Sequence, residues 1–294
     1  MKRKFRCEWI SWLLRAAVTG SALLCGMLAV LMTGFLVWNG SLRLWLSGMS
    51  GCGQNEQNAA AAGWIATLLP PFWNTLLMIA AVLLLAVPLG TGTAVFLSEY
   101  AGRGSRLAKA VSLAVDTLAG IPSILFGLFG FLVFVLRLGW GYSFLAGACT
   151  LTLMVLPLMI RTTQEALRSI PDALRENSYG LGAGRGRTVL CVLLPAAFPG
   201  MLAGILLAIG RISGESAALL FTAGTGPEAA ESLFSSAATL AVYLYAGMVE
   251  GQSLERAYQA ALLLLLLTGA LNLCASLLTA RFAAGAGARS RRSR

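Results

Sequence analysis

From Ala16 to Trp38 the chain carries no charged side chain, and a helix of that length crosses the roughly 30 Å hydrocarbon core of a bilayer. Five similar runs follow: Phe72 to Ser98, Ala110 to Leu136, Leu138 to Ile160, Pro199 to Ala223 and Ala257 to Ala280. Backbone in hydrocarbon must satisfy its own hydrogen bonds, so these runs predict helices. The fold class expected is an all-α polytopic membrane protein with six transmembrane helices. Composition agrees, since 57% of the residues are apolar and only 12% are charged, which excludes an ordinary soluble domain. There is no histidine, which removes the commonest general base and metal ligand.

Lys and Arg gather at alternate ends of the runs and set an orientation. With the N-terminus in the cytoplasm, 18 of the 22 basic residues fall inside. They are Lys2, Arg3, Lys4, Arg6 and Arg15; Arg103, Arg106 and Lys109; Arg161, Arg168, Arg175, Arg185 and Arg187; and Arg281, Arg289, Arg291, Arg292 and Arg294. Arg43, Arg137 and Arg256 fall outside, and Arg211 lies within the membrane. A seventh span across 232–249 would export the arginine-rich tail, so that segment is expected to lie along the outer face or dip into it. The predicted organisation is a basic arm (1–15), a six-span domain (16–280) with an inner loop at 165–199, and a basic tail (281–294). Both termini are then cytoplasmic at a bacterial plasma membrane. Phe5, Trp9 and Trp12 suit the headgroup level of the lipid. The first run is too long for a signal-peptide core and has no small-residue cleavage pattern after Trp38, so an uncleaved anchor is expected.

The net charge of +10 sits in clusters at the ends of apolar runs, a pattern of membrane orientation and not of nucleic-acid binding. Six cysteines form no C-x-x-C pair, and Cys52 has no outer partner, so neither a disulfide nor a metal site is expected. The glycines of Gly180 to Gly186 are followed by Arg187, and no P-loop pattern occurs. The chain is expected to hold no cofactor, with ATP bound by another subunit.

The inner loop carries Glu165, Arg168, Asp172, Arg175, Glu176, Arg185 and Arg187, so it stays out of the membrane. Pro171 to Leu181 is predicted as a surface helix, with Ser169 and Asp172 at capping-box spacing and Pro171 in the first turn. Gly182, Gly184 and Gly186 end it. A second short helix is expected over Thr188 to Leu194, with Val189, Val192 and Leu193 on one face, before Pro195 and Pro199 restart the chain. A basic helix–turn–helix between two spans is either a docking surface for a partner or a plain connector.

Three features lie inside the apolar runs. Pro88 and Gly90 are expected to kink the second span, where Gly90, Gly92 and Ala94 allow close helix approach. Pro122, flanked by Gly120 and Ser123, is expected to break the third; Asp116 just upstream is about 10 Å beyond Lys109 and able to pair with a cytoplasmic arginine. Arg211 lies about 18 Å along a helix from Pro199, near the bilayer midplane, with Glu215 four residues later on the same face. Each charge costs about 2.5–3.5 kcal/mol to insert, so both must face a partner helix or a water-filled path. A guanidinium offers parallel donors to two oxygens of a tetrahedral oxyanion, and Glu215 is expected to hold and moderate it. The alternative is an ion pair that only fixes helix packing.

Glu176, Asn177, Ser178, Gly182 and Leu194-Pro195 together resemble the EAA loop of ABC importer permeases, with Asn177 and Ser178 where the two alanines stand. Pro88-Leu89-Gly90 with Leu97 to Ala101, and the LAGIPSI-FGL stretch from Leu118, resemble the permeases of phosphate-specific ABC importers. The stretch Arg211 to Gly224 resembles that family's R-x-x-G-E-T-A-P-L-L-F-T-A pattern, with Ser216 for Thr and Ala218 for Pro. Thr239 to Asn272 is similar to the A-type (PstA-type) subunit more than the C-type, and the likeness runs from about residue 74 to 281. The resemblance implies a MetI-like fold and phosphate import without bond chemistry in this chain. It implies ATPase coupling through Glu176, Asn177, Ser178, Gly182, Leu194 and Pro195. Pro88, Gly90, Gly120 and Pro122 become helix-break or gating positions, and Arg211 and Glu215 become substrate-path residues. The implied partners are a PstC-type permease, a PstB-type cytoplasmic ATPase dimer and a PstS-type extracytoplasmic phosphate-binding protein. Transport of sulfate or molybdate, and an anion-sensing scaffold without flux, stay open. An intramembrane enzyme is the weakest reading, given the lack of histidine, of paired membrane aspartates and of a Ser/Lys dyad.

Overall fold

A computed structural model describes the backbone of residues 2–49, 63–101, 105–226, 228–249 and 254–292. Among these residues every regular element is helical. Five helices are long and apolar enough to cross a membrane, and a bent helix pair makes up to six. Arg103, Cys52, most of the first outer loop and the side chains of both basic termini lie outside the described residues.

The chain divides into two compact units, residues 1–54 and 55–294. The first is a single helix, α1 (Lys2–Met49). The basic arm and the first span are thus one continuous helix, with no break at Ala16.

The second unit begins with α2 (Gly63–Val95), which runs unbroken through Pro70, Pro71 and Pro88. The helix is not interrupted at Pro88 or Gly90. The irregularity falls later, at the π-helical turn Phe96–Tyr100. Gly90 serves packing instead: a Cβ there would fall 2.7 Å from Met159 Cβ, whereas one at Gly92 would meet nothing within 4 Å. α3 (Arg106–Ala119) and α4 (Ser123–Gly130) bracket the expected break, with Gly120 closing the first and Pro122 opening the second. The chain turns there by 105°, so the third run is a bent pair and not a straight span. α4 continues as a π-helical turn over Phe131–Arg137.

α5 (Phe144–Arg168) starts later than the sequence suggests and runs on past Ile160 to Arg168. Gly139 and Gly141, with φ of 70° and 64°, turn the chain first. The hydroxyl of Ser143 then accepts the Ala146 N–H and caps the helix. The inner loop supplies α6 (Asp172–Gly180) and α7 (Arg185–Thr188). α7, a π turn (Val189–Leu193) and α8 (Leu194–Ser213) form one apolar span, Arg185–Ser213. The separate short helix expected over Thr188 to Leu194 is therefore the start of this span. Pro195 sits in the first turn of α8 and Pro199 inside it, so neither interrupts the chain. After Gly214 come α9 (Ala217–Leu220), α10 (Leu240–Val249) and α11 (Leu254–Arg292).

Lipid tails give helices little hydrophobic reason to associate, so close packing must hold them together. α5 is the centre of that packing. Gly200 and Gly204 of α8, at G-x-x-x-G spacing, face Ala166 and Thr162 of α5. A Cβ at Gly200 would fall 2.7 Å from Ala166 Cβ, and one at Gly204 2.8 Å from Thr162 Cβ. Met78, Leu151, Met159 and Leu219 are fully buried in the resulting core.

α10 has ten residues, about 15 Å of helix, too short to cross. Its start is buried against the rest of the protein through Leu240, Ala241 and Val242. Fully buried Asn74 pins the chain before it: its amide donates to the carbonyls of Glu228 (2.9 Å) and Ala238 (3.1 Å) and accepts the Ala230 N–H at 3.0 Å. The same segment returns to α5, where the N–H groups of Ser143, Phe144 and Leu145 donate to the carbonyls of Thr222, Ser235 and Leu233. These bonds satisfy amides that a helix start leaves bare.

Candidate translocation and coupling sites

Arg211 stands in the last turn of α8, and Gly214 ends the helix three residues later. Measured from Arg185, where this span begins, Arg211 is about 39 Å along it, near the far end. Within the helix Arg211 is terminal and not central, because Gly214 stops the helix that the sequence reading carried on to Ala223. Glu215 lies beyond the helix end, and it does not share a helical face with Arg211. Its carboxylate accepts the Ala218 N–H at 3.2 Å, at the start of α9. Among the described residues no ion pair joins Arg211 and Glu215, and the guanidinium is exposed without a hydrogen-bond partner. The positioning bond expected between them is replaced by a break that separates them.

The two sequence motifs of the core meet directly. α4, from the LAGIPSI-FGL stretch, packs on α9, from the stretch that follows Arg211. A Cβ at Gly127 would fall 2.8 Å from Ala218 Cα. Where the resembled pattern has proline, Ala218 is buried in this contact. One interrupted helix pair therefore rests on another, with the Gly120–Pro122 bend in one and the Gly214–Ser216 break in the other. Non-helical backbone at membrane depth occurs where it is buried in protein or lines a cavity.

Asp116 of α3 forms an ion pair with Arg161 of α5, as expected of it. Arg161 also donates to Ser112 Oγ at 3.1 Å and Gln164 Oε1 at 3.1 Å. The cluster joins α3 to α5 and uses up the charge of Asp116.

The inner loop is built as a firm protrusion. Pro171 is the N-cap of α6, and the Ser169 hydroxyl turns back to the Ala166 carbonyl, so the expected capping box does not form. At the other end Gly182 takes φ +80°. Its N–H donates to the Tyr179 carbonyl and that of Ala183 to Ser178, the double bond pattern of a Schellman cap. Ser178 is buried and its hydroxyl bonds Thr188 at 2.9 Å, which ties α6 to α7. Val189 and Leu193 anchor the loop on Leu167 of α5 and on Ile170 just after it. Glu176, Asn177 and Tyr179 are exposed, and Leu181 is 89% exposed at the tip. Leu194 and Pro195 do not reach that tip. They line an open apolar cleft of about 440 Å³ with Pro88 and Thr91 of α2.

Sequence reasoning passed over Gly127, Asn74 and the Gly200/Gly204 pair. The glycine spacing was a usable signal. Nothing local marks Gly127 or Asn74, whose partners lie far along the chain.

Residues 86–286 match the family described as "Binding-protein-dependent transport system inner membrane component". The chain belongs to this family. The permease is 41% identical to "Probable ABC transporter permease protein YqgI" of Bacillus subtilis strain 168, over 58% of this chain and 56% of that protein. It is 38% identical to "Phosphate transport system permease protein PstA 1" of Mycobacterium tuberculosis strain CDC 1551 / Oshkosh, over 70% of this chain and 68% of that one. Its backbone is similar to a chain of the inward-facing MetNI methionine ABC transporter, with TM-score 0.57, 21% identity, and coverage of 73% of this chain and 95% of that chain. The permease therefore has the MetI-like importer fold. As a family member it is a multi-pass membrane component and not an enzyme, in a system where separate subunits hydrolyse ATP and a binding protein delivers the substrate.

Proposed function

We propose that this permease carries inorganic phosphate inward across a bacterial plasma membrane, as one of a pair of related permeases. The observation that carries this reading is the free guanidinium of Arg211 at the end of a membrane helix, in a chain 38% identical to a protein named as a phosphate transport permease. A charge in a membrane protein does not face lipid without cost, so an exposed arginine with no partner among the described residues faces the second permease or the path between the two. There its parallel donors suit two oxygens of a tetrahedral anion. The break after Gly214 keeps Glu215 from neutralising it, and Glu215 shapes the adjoining turn.

The partners are a PstC-type permease, a PstB-type ATPase dimer in the cytoplasm and a PstS-type phosphate-binding protein outside. Both termini are cytoplasmic, in line with the weight of Lys and Arg on that side. The chain needs no cofactor, and ATP binds the ATPase pair. α6 and its tip, with Leu181, Tyr179 and Glu176 outward, dock on the ATPase, whose closure rocks the spans between outward and inward openings.

The test is labelled-phosphate uptake into vesicles holding the full assembly and loaded binding protein, with and without ATP. ATP-dependent uptake that excess phosphate abolishes and excess sulfate or molybdate leaves intact is expected. Competition by sulfate or molybdate at equal concentration, or uptake indifferent to ATP, would contradict the proposal.

A further inference from the structure

Arg175, in α6, has five N–H groups, and all five are used. Nε and Nη2 donate to Glu99 Oε1 at 3.2 and 3.0 Å. Nη1 donates to the Ile170 carbonyl at 3.0 Å and to Asp172 Oδ1 at 2.9 Å. Nη2 also donates to the Leu167 carbonyl at 2.8 Å. One planar group thereby joins three elements: its own helix α6, the carbonyl end of α5, and the π-helical turn that ends α2. Both ends of the central ion pair are shielded, with Arg175 17% and Glu99 10% exposed. The bond to Glu99 holds the Arg175 pKa above its ordinary value, against the opposing effect of burial.

Such a junction is more than a loop needs for its own stability. The Schellman cap at Gly182 and the Ser178–Thr188 bond already close α6 on its C-terminal side. Carbonyls at the end of α5 can also be met by water. Arg175 links α6 to the π turn that follows α2, 76 residues away in sequence. A π turn is a helical segment with one residue more than the α-helical register, a place where a helix can adjust without breaking. Glu99 sits in that turn.

We infer that Arg175 and Glu99 are the positioning residues through which movement of α6 is passed to the second span. This rests on the proposed docking of α6 to the ATPase but not on the identity of the cargo. The planar fork is essential to it. Lysine offers three donors from one atom and cannot reach Glu99 and both carbonyls together. Glutamine at 99 keeps the carbonyl oxygen that accepts both N–H groups, whereas alanine removes it.

The test uses the assembled permease pair with its ATPase in lipid nanodiscs, in a background with the native cysteines replaced. Leu89 of α2, which is exposed, is changed to cysteine, and its rate of reaction with a water-soluble maleimide is followed with and without ATP and vanadate. With Glu99 and Arg175 present, trapping the ATPase is expected to change that rate by about fivefold or more. Glu99→Ala and Arg175→Lys are expected to abolish the change while the ATPase still co-purifies in full, and Glu99→Gln is expected to keep it. An undiminished change in Glu99→Ala, or no change with the native pair, would overturn the inference. Loss of the ATPase from Glu99→Ala would overturn it too, since the pair would then only shape the docking face. Phosphate uptake measured in parallel bears on the cargo alone, so failure of the transport proposal is read separately.

Discussion

Gly127 of α4 lies against Ala218 of α9 so closely that a side-chain carbon at 127 would fall 2.8 Å from the Ala218 Cα. Two stretches far apart in sequence, each containing an interrupted helix, are joined at this contact. The obstacle is backbone on one side, which cannot move aside as a flexible side chain can. Gly127→Ala is expected to destabilise the purified complex by about 1–3 kcal/mol, the usual cost of overpacking. Gly92→Ala on α2, where nothing lies within 4 Å, is expected to be neutral or slightly stabilising. Thermal unfolding in detergent, read for both variants, checks the contrast.

Asn74 is expected to govern the order of the segment before α10. Asn74→Leu removes two donors and an acceptor at a fully buried position, leaving the Ala238 carbonyl bare at about 1–3 kcal/mol. Hydrogen exchange across 228–240 is expected to rise about tenfold or more, with exchange in α6 unchanged.

The tip of the inner loop is expected to carry ATPase docking. Gly182→Leu places a branched side chain at φ +80°, which costs about 1–2 kcal/mol and undoes the Schellman cap. Leu181→Glu leaves the backbone alone and removes the exposed apolar contact. Both are expected to reduce co-purification of the ATPase, Leu181→Glu without loss of thermal stability. Undiminished co-purification of the ATPase with both would remove the tip from the docking face.

Five of the expected spans, and a sixth as a bent pair, were legible from the lengths of the apolar runs, and so was the break at Gly120 to Pro122. The ends of the spans were less so. Pro199 looked like a restart, yet α8 runs through it because neighbouring helices in a membrane tolerate proline. The missed stop at Gly214 put Arg211 in the middle of a helix and Glu215 on its face. Spacing of four residues implies a shared face only when a helix continues, and Gly214 stops this one. The pairing of Asp116 with an inner arginine was foreseeable from depth. Which arginine it meets, and that Arg175 joins α6 to Glu99, depends on tertiary packing that local pattern does not encode.

The central claim is that the guanidinium at the end of α8 serves the passing anion. The most direct measurement is ATP-driven uptake of labelled phosphate by vesicles containing the full assembly with Arg211→Gln, beside Arg211→Lys and the native chain. Loss of two charge-assisted hydrogen bonds predicts that uptake by Arg211→Gln falls about 100-fold or more, with membrane insertion and ATPase binding intact and the lysine variant in between. Uptake by Arg211→Gln within about twofold of the native rate, too small a difference for even one such bond, would contradict the account.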